Sequence, residues 1–257
     1  MFKAIPLFSG SSGNATYVKY GDDEILIDAG ASYKNLRLAL EKLGTDISNI
    51  KAIFITHEHS DHIKGLSVTL KHLDVPVYIN QASFDEIMSH GTDIFYGRAE
   101  IKNADDAVSV GQISAKIFKT PHDSAGSVGY RFTFSDGQAF GYATDIGAVT
   151  AKIRAGLYGC KSVVIESNHD VGMLKSGPYP YMLKKRILSD HGHLSNDDCS
   201  CFLPELVEHG TEKLILAHLS HENNTPEAAY LTAAAALTEA GFTPDDVKLT
   251  VAMRSIL

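Results

Sequence analysis

Apolar positions along the chain fall into two recurring patterns. Short apolar or alternating runs, rich in β-branched and aromatic residues, predict strands over 4–8, 16–19, 24–28, 52–56, 75–79, 113–119, 128–134, 139–143, 162–166, 214–218 and 247–252. Helical spacing predicts helices over 33–43, 65–73, 83–89, 149–158, 180–189, 195–208 and 226–240. Two of these have chemically supported starts: Ser195 with Asp198 three residues on has the form of a capping box, and Thr225 precedes a proline placed to open a helix. Strand and helix share the chain about evenly, which predicts an α/β protein. Several strands succeed one another in the first half while the second half alternates strand and helix, so a single doubly wound sheet is not the obvious solution.

Composition narrows this picture. A chain of 257 residues with 44% hydrophobic content can bury roughly 70–75% of its surface. No Pro/Gly/Ser-rich linker divides it, so a single domain over 1–257 is expected. The longest apolar runs fall far short of the roughly 18 residues of a membrane span, and the first residues break from Ile5 into Pro6 and a Ser/Gly loop rather than building a signal-peptide core. Three cysteines, two of them only two apart, do not suggest a disulfide framework. A cytoplasmic, reduced protein is the expectation. The formal net charge of -8, taken alone, argues against a nucleic-acid binder.

The chemistry concentrates in Thr56-His57-Glu58-His59-Ser60-Asp61-His62, directly after the apolar run Ala52-Ile53-Phe54-Ile55. Three imidazoles and a carboxylate where a buried strand ends can converge on a metal ion. His57 and His59 point the same way if the chain leaves the strand extended, whereas Asp61 and His62 need a turn and suit a second position. Such ligands favour zinc, manganese or iron over magnesium or calcium. His122, Asp145 and His218 each come after a predicted strand, and strand C-termini are where α/β proteins build sites. Together they make five His and two Asp, enough for two ions that could clamp an in-line displacement.

These residues resemble the metallo-β-lactamase-fold hydrolases. His57, His59, Asp61 and His62 match the family's H-x-H-x-D-H motif, with His122, Asp145 and His218 in its order. The resemblance implies a four-layer αβ/βα sandwich with the site at one edge. It also implies that His57, His59 and His122 hold one metal, that Asp61, His62 and His218 hold the other, and that Asp145 bridges. Flavodiiron oxidoreductases carry Glu at the position of His59, and zinc β-lactamases usually lack the histidine at His62, so neither branch fits; thioesterases and lactonases of the glyoxalase-II kind remain.

Further segments resemble nucleases. Gly192-His193-Leu194-Ser195, Ala217-His218-Leu219-Ser220 and Ile165-Glu166-Ser167-Asn168 are similar to elements of ribonuclease Z. Ser9-Gly10-Ser11-Ser12-Gly13-Asn14, Thr120-Pro121-His122-Asp123, Gly177-Pro178-Tyr179-Pro180 and the run from His218 to Asn224 resemble the YycJ/WalJ type of bacterial 5'-to-3' exodeoxyribonuclease. Only about 73 positions separate Asp145 from His218, too few for the β-CASP insertion of ribonuclease J.

The resemblance implies a metal-dependent phosphodiesterase acting on DNA through a metal-bridging hydroxide, with zinc or manganese as cofactor; the alternative is a thioester or lactone hydrolase on the same centre. A non-catalytic scaffold is a third reading, disfavoured by the intact ligand set. Asp61 is then expected also to orient the nucleophile. His193, with Glu166 behind it to set its tautomer, protonates the leaving oxygen or holds the phosphate; the plain alternative is a histidine bonded to backbone ahead of a helix. Ser11, Ser12 and Asn14 are expected to touch substrate. Lys184 and Arg186 are expected to do so too, from the stretch 175–186 with four cations, no acid and interleaved aromatics, although a solvated helix face accounts for that stretch equally well. Two divalent ions would move the net charge from -8 to -4, so acidity no longer excludes DNA; it predicts attraction concentrated at the site.

Overall fold

The computed structural model describes residues 1–91 and 93–257. Its strands are β1 (Lys3–Phe8), β2 (Ala15–Tyr20), β3 (Asp23–Ile27), β4 (Ile50–Phe54), β5 (Val77–Ile79), β6 (Ala99–Ile101), β7 (Ala107–Val110), β8 (Ile113–Lys119), β9 (Val128–Phe134), β10 (Ala139–Ala143), β11 (Ser162–Glu166), β12 (Lys213–Ala217) and β13 (Lys248–Val251). The α-helices are α1 (Tyr33–Lys42), α2 (Ser60–Ile63), α3 (Leu66–Leu70), α4 (Gln81–Ser89), α5 (Ala151–Leu157), α6 (Val171–Ser176), α7 (Tyr181–Ile187), α8 (Asn196–Glu208) and α9 (Pro226–Glu239). Both expected caps form: Ser195 Oγ accepts from Asp198 N, and Thr225 Oγ1 accepts from Ala228 N with Pro226 opening α9.

The strands make two mixed sheets, one in the order β1-β2-β3-β4-β5-β6 and one in the order β13-β12-β11-β10-β9-β8-β7. Each begins as an antiparallel meander, β1 to β3 and β7 to β10, and continues as parallel strands, β3 to β6 and β10 to β13. Strand alternation sorts the core into layers. In β4, Ala52 and Phe54 face the other sheet while Ile53 faces outward; in β12, Ile215 and Ala217 face inward while Leu214 and Leu216 face outward.

The inward set meets across a shared core, where Phe54 sits edge-on to both Tyr130 and Phe132. One outward set packs with residues of α1, α3 and α4, the other with residues of α5, α8 and α9. The order is therefore helix, sheet, sheet, helix: the αβ/βα sandwich. Because β1, β3 and β4 run parallel, as do β8, β10, β11 and β12, the loops after their C-terminal ends carry the candidate residues of both sheets.

Candidate metal centre

The strand that leads into the histidine motif is buried on both faces, and its last residues feed a loop rather than a turn of sheet. Thr56 N donates to Asp28 Oδ1 at 2.8 Å, and Val128 N donates to Thr56 O at 3.1 Å, which fixes the start of the loop between the sheets. His59 precedes the one-turn α2, whose turn brings Asp61 and His62 back toward His57. Asp28 after β3, Asp145 after β10 and His218 after β12 all have left-handed backbones, with φ of 61°, 54° and 57°. Such a conformation costs a non-glycine residue about 1 kcal/mol. Asp28 and Asp145 are of a type that tolerates it better than most, and in each case the bend turns the side chain from the strand end into the cleft.

Four clusters of candidate ligand atoms result, with the atoms of each lying within 4.8 Å of one another: His57, His59 and His122; Asp61, His62 and His218; His57, His62 and Asp145; and Asp145, Glu166, His193 and His218. His122 Nε2 and His59 Nδ1 face each other at 3.3 Å. Asp145 Oδ2 lies 3.2 Å from His62 Nε2, and its Oδ1 lies 3.5 Å from His218 Nδ1 and 3.7 Å from His122 Nε2, so this carboxylate stands between the first two clusters. His57 Nε2, His218 Nε2 and Asp145 Oδ2 are buried without a hydrogen-bond partner. Each costs about 1–3 kcal/mol if nothing satisfies it. These orphaned atoms, all imidazole nitrogen or carboxylate oxygen, fit divalent cations.

Behind this centre a second layer orients the rings. Asp28, fully buried, meets His62 Nδ1 at 2.8 Å, and Thr56 Oγ1 meets His57 Nδ1 at 3.0 Å. His122 Nδ1 lies 3.1 Å from Gly192 O. Glu166 Oε1 meets both His193 Nδ1 and His218 Nδ1 at 2.8 Å, while its Oε2 accepts from Ile146 N and Leu194 N. Burial opposes charge on every one of these rings. For His62 the carboxylates Asp28 and Asp145 overcome it and push the ring up to about 10; for His218 and His193, Asp145 and Glu166 likewise raise it. His57 goes the other way: burial and the neighbouring His62 hold it well below the usual imidazole range.

The remaining expected residues separate into three groups. His193 is partly exposed and presents its free Nε2, and Asp61 is partly exposed at the mouth of the centre. Ser11 and Arg186 line a cavity beside His193, Arg186 as an ion pair with Asp123. Two expectations need correction. Asn14 is buried rather than open to substrate: its amide donates to Asp61 Oδ2 at 3.0 Å and its carbonyl accepts from Gly10 N at 2.9 Å, closing the 9–14 loop against the motif. Lys184 turns its ammonium onto the carbonyls of Lys175 and Gly177, at 2.7 and 2.8 Å, and so fastens the approach to α7. Glu166, fully buried, stands behind His193 as expected and meets His218 as well, so it is placed to position two imidazoles.

Ser12 is exposed, and its carbonyl is held by Lys64. His221, which the sequence left open, is exposed and bonded to Glu222. Asp28 and Thr56 were missed, and the signal for Asp28 was its place: a strand-ending carboxylate, as Asp145 is after β10.

Comparison with known proteins adds three findings. Residues 23–219 match the family described as beta-lactamase superfamily domain. Exodeoxyribonuclease YycJ of Bacillus anthracis is 36% identical over 236 residues, 92% of this chain and 89% of that protein, and exodeoxyribonuclease WalJ of Streptococcus pneumoniae serotype 2 is 35% identical over 93% and 89%. The crystal structure of the metallo-beta-lactamase fold protein YhfI from Bacillus subtilis superposes with a TM-score of 0.72 at 16% identity, covering 100% of this chain and 98% of that one.

Proposed function

This chain belongs to the β-lactamase superfamily domain family, and from that premise we propose that it is a metal-dependent phosphodiesterase that shortens DNA as a 5'-to-3' exodeoxyribonuclease. The observation that carries this reading is the similarity to two exodeoxyribonucleases across nine-tenths of the chain. The site supports it. His57, His59 and His122 would hold one divalent ion and Asp61, His62 and His218 a second, with Asp145 shared; zinc and manganese both suit the donors. When bound, such ions lower the pKa of water and offset charge on a phosphoryl oxygen.

The chain's own residues do the rest. Asp61 at the mouth of the centre, held by Asn14, accepts from and aims the attacking water. His193, its Nδ1 held by Glu166, keeps Nε2 available to give a proton to the departing oxygen. Ser11 and Arg186 lie where the phosphate chain would pass, in a single domain over 1–257 working in the cytoplasm. No described helix is long and apolar enough to cross a membrane.

The test is to incubate the purified protein with manganese or zinc and end-labelled duplex DNA, beside a glutathione thioester and a lactone. Loss of label from DNA, abolished by Asp61→Ala and by chelation, is the expected result. Robust thioester turnover with intact DNA would overturn the reading.

A further inference from the structure

The stretch between Asp170 and Asp190 holds four cations and no acid, in a chain of net charge -8. Helix α7 lies within it and has two unlike faces. Its inner face, with Leu183 and Ile187, lines the cavity against His193. Its outer face presents Tyr181 and Met182, 76% and 72% exposed and, Met1 apart, the most exposed large apolar side chains among the described residues. Each stands one helical turn before a cation, Tyr181 before Lys185 and Met182 before Arg186, so apolar area and positive charge are neighbours on this face. Lys185 is exposed and enters no ion pair among the described residues. The face is also held in place. Lys184 fastens the approach at Lys175 and Gly177, Arg186 pairs with Asp123 next to His122, and His193 N donates to Ile187 O at 3.0 Å. The opposite flank of the metal centre differs. The cavity beside His59 carries Glu58, Glu86 and Asp123, and its lysine, Lys64, is turned onto Ser12 O. A polyanion is repelled on that flank and attracted on this one.

We propose that the outer face of α7 is a docking surface for single-stranded DNA outside the metal centre, with bases stacked on Tyr181 and Met182 and a phosphate met by Lys185. The occupant rests on the phosphodiesterase reading. A single strand suits this face better than a duplex, because the ring and the thioether offer apolar area to base faces that a duplex keeps stacked inside. The cation adds attraction that is blind to sequence. Both contacts lie away from the candidate ligands, so the surface holds the strand without the metals and sets affinity for long strands rather than the chemistry of the cut.

The test is fluorescence anisotropy of the full chain with a labelled thymidine strand of about 16 nucleotides, joined by phosphorothioates so that it resists cleavage. The double variant Tyr181→Ala/Met182→Ala is expected to weaken binding at least about fivefold. Lys185→Gln should weaken it too, and lower the slope of log affinity against log salt by about 0.7, one phosphate's share on a single strand. Lys248→Gln makes the same change of charge at an exposed lysine opening β13, at the far end of the sheet from His218, and should alter neither quantity. Equal affinity in the wild type, the double variant and Lys185→Gln overturns the surface, and so does an equal loss from Lys248→Gln. A duplex of the same length bound more tightly than the strand, and equally by wild type and double variant, also overturns it. Sedimentation with phosphatidylserine vesicles that the double variant abolishes, without strand binding by the wild type, replaces it with a membrane surface. Strand binding weakened in the variants, beside a wild type that leaves DNA uncut in manganese, keeps the surface and removes the nuclease reading instead.

Discussion

At the scale of single residues, the side chains behind the centre decide how it works. Asp28 meets His62 at 2.8 Å and has no route to solvent, so its contribution is to aim one ring. Asp28→Asn should lower metal affinity about 10–100-fold with the circular dichroism spectrum unchanged; competition against a chromophoric chelator measures it, and unchanged affinity would refute the role. His193 and Glu166 can be told apart in the same way. His193→Gln should reduce kcat about 10²–10³-fold while metal content stays at the wild-type level. Glu166→Gln should lower both, because Glu166 also holds His218. Elemental analysis alongside single-turnover kinetics separates the two. The histidine motif was legible because its members lie within six positions, whereas Asp28 and Asn14 act on partners 34 and 47 positions away, a relation no local pattern contains.

At the scale of elements, the site depends on backbones packed closer than side chains allow. The 28–31 segment lies directly on the motif loop: Asn14 N donates to Asp61 O, Gly30 N to Asn14 O, and Ala29 N to His62 O, at 2.7, 2.8 and 2.9 Å. A Cβ at Gly30 would stand 1.6 Å from Asp61 O. Gly30→Ala should therefore cost about 3 kcal/mol or more in urea denaturation and weaken metal binding; a stability within about 1 kcal/mol of wild type would show that the loops can part. Strands with clean alternation, such as β8 and β9, were readable to the residue. β6 and β7 were not, being three or four half-exposed residues long, and neither was α2, whose four residues read as chemistry rather than as a helix. The predicted helix over 65–73 shrinks to Leu66–Leu70, because the Gly65 backbone is packed on Ala29 and the chain turns away after Lys71 toward β5.

At the scale of the molecule, the two sheets are also tied away from the site. Asp23 on β3 pairs with Lys51 at 2.6 Å and accepts from Gln112 N, in the turn between β7 and β8, at 2.7 Å. Burial raises its carboxyl, but Lys51 and Gln112 outweigh this and hold it below the usual range; Glu24 is lowered in the same manner by Lys19 and Thr45. Both contributions are present above the unfolded carboxylate range near pH 4 and are lost as pH falls through the depressed folded values. Asp23→Asn should remove about 1 kcal/mol at pH 7 and flatten the acid limb of the stability profile; chemical denaturation from pH 7 to pH 3 reads both. The α/β class was visible in the alternation of strand and helix patterns and the layered sandwich in the family resemblance, but the pairing of two meanders face to face could not be read from the residues themselves, since residues of different strands carry no mark of which sheet they share. The left-handed residues at 28, 145 and 218 have a last consequence, for anyone engineering this protein. An optimiser rewarded only for folding would write glycine at all three, since glycine fits those dihedrals without penalty, and would thereby delete one orienting carboxylate and two candidate ligands while reporting an improved sequence.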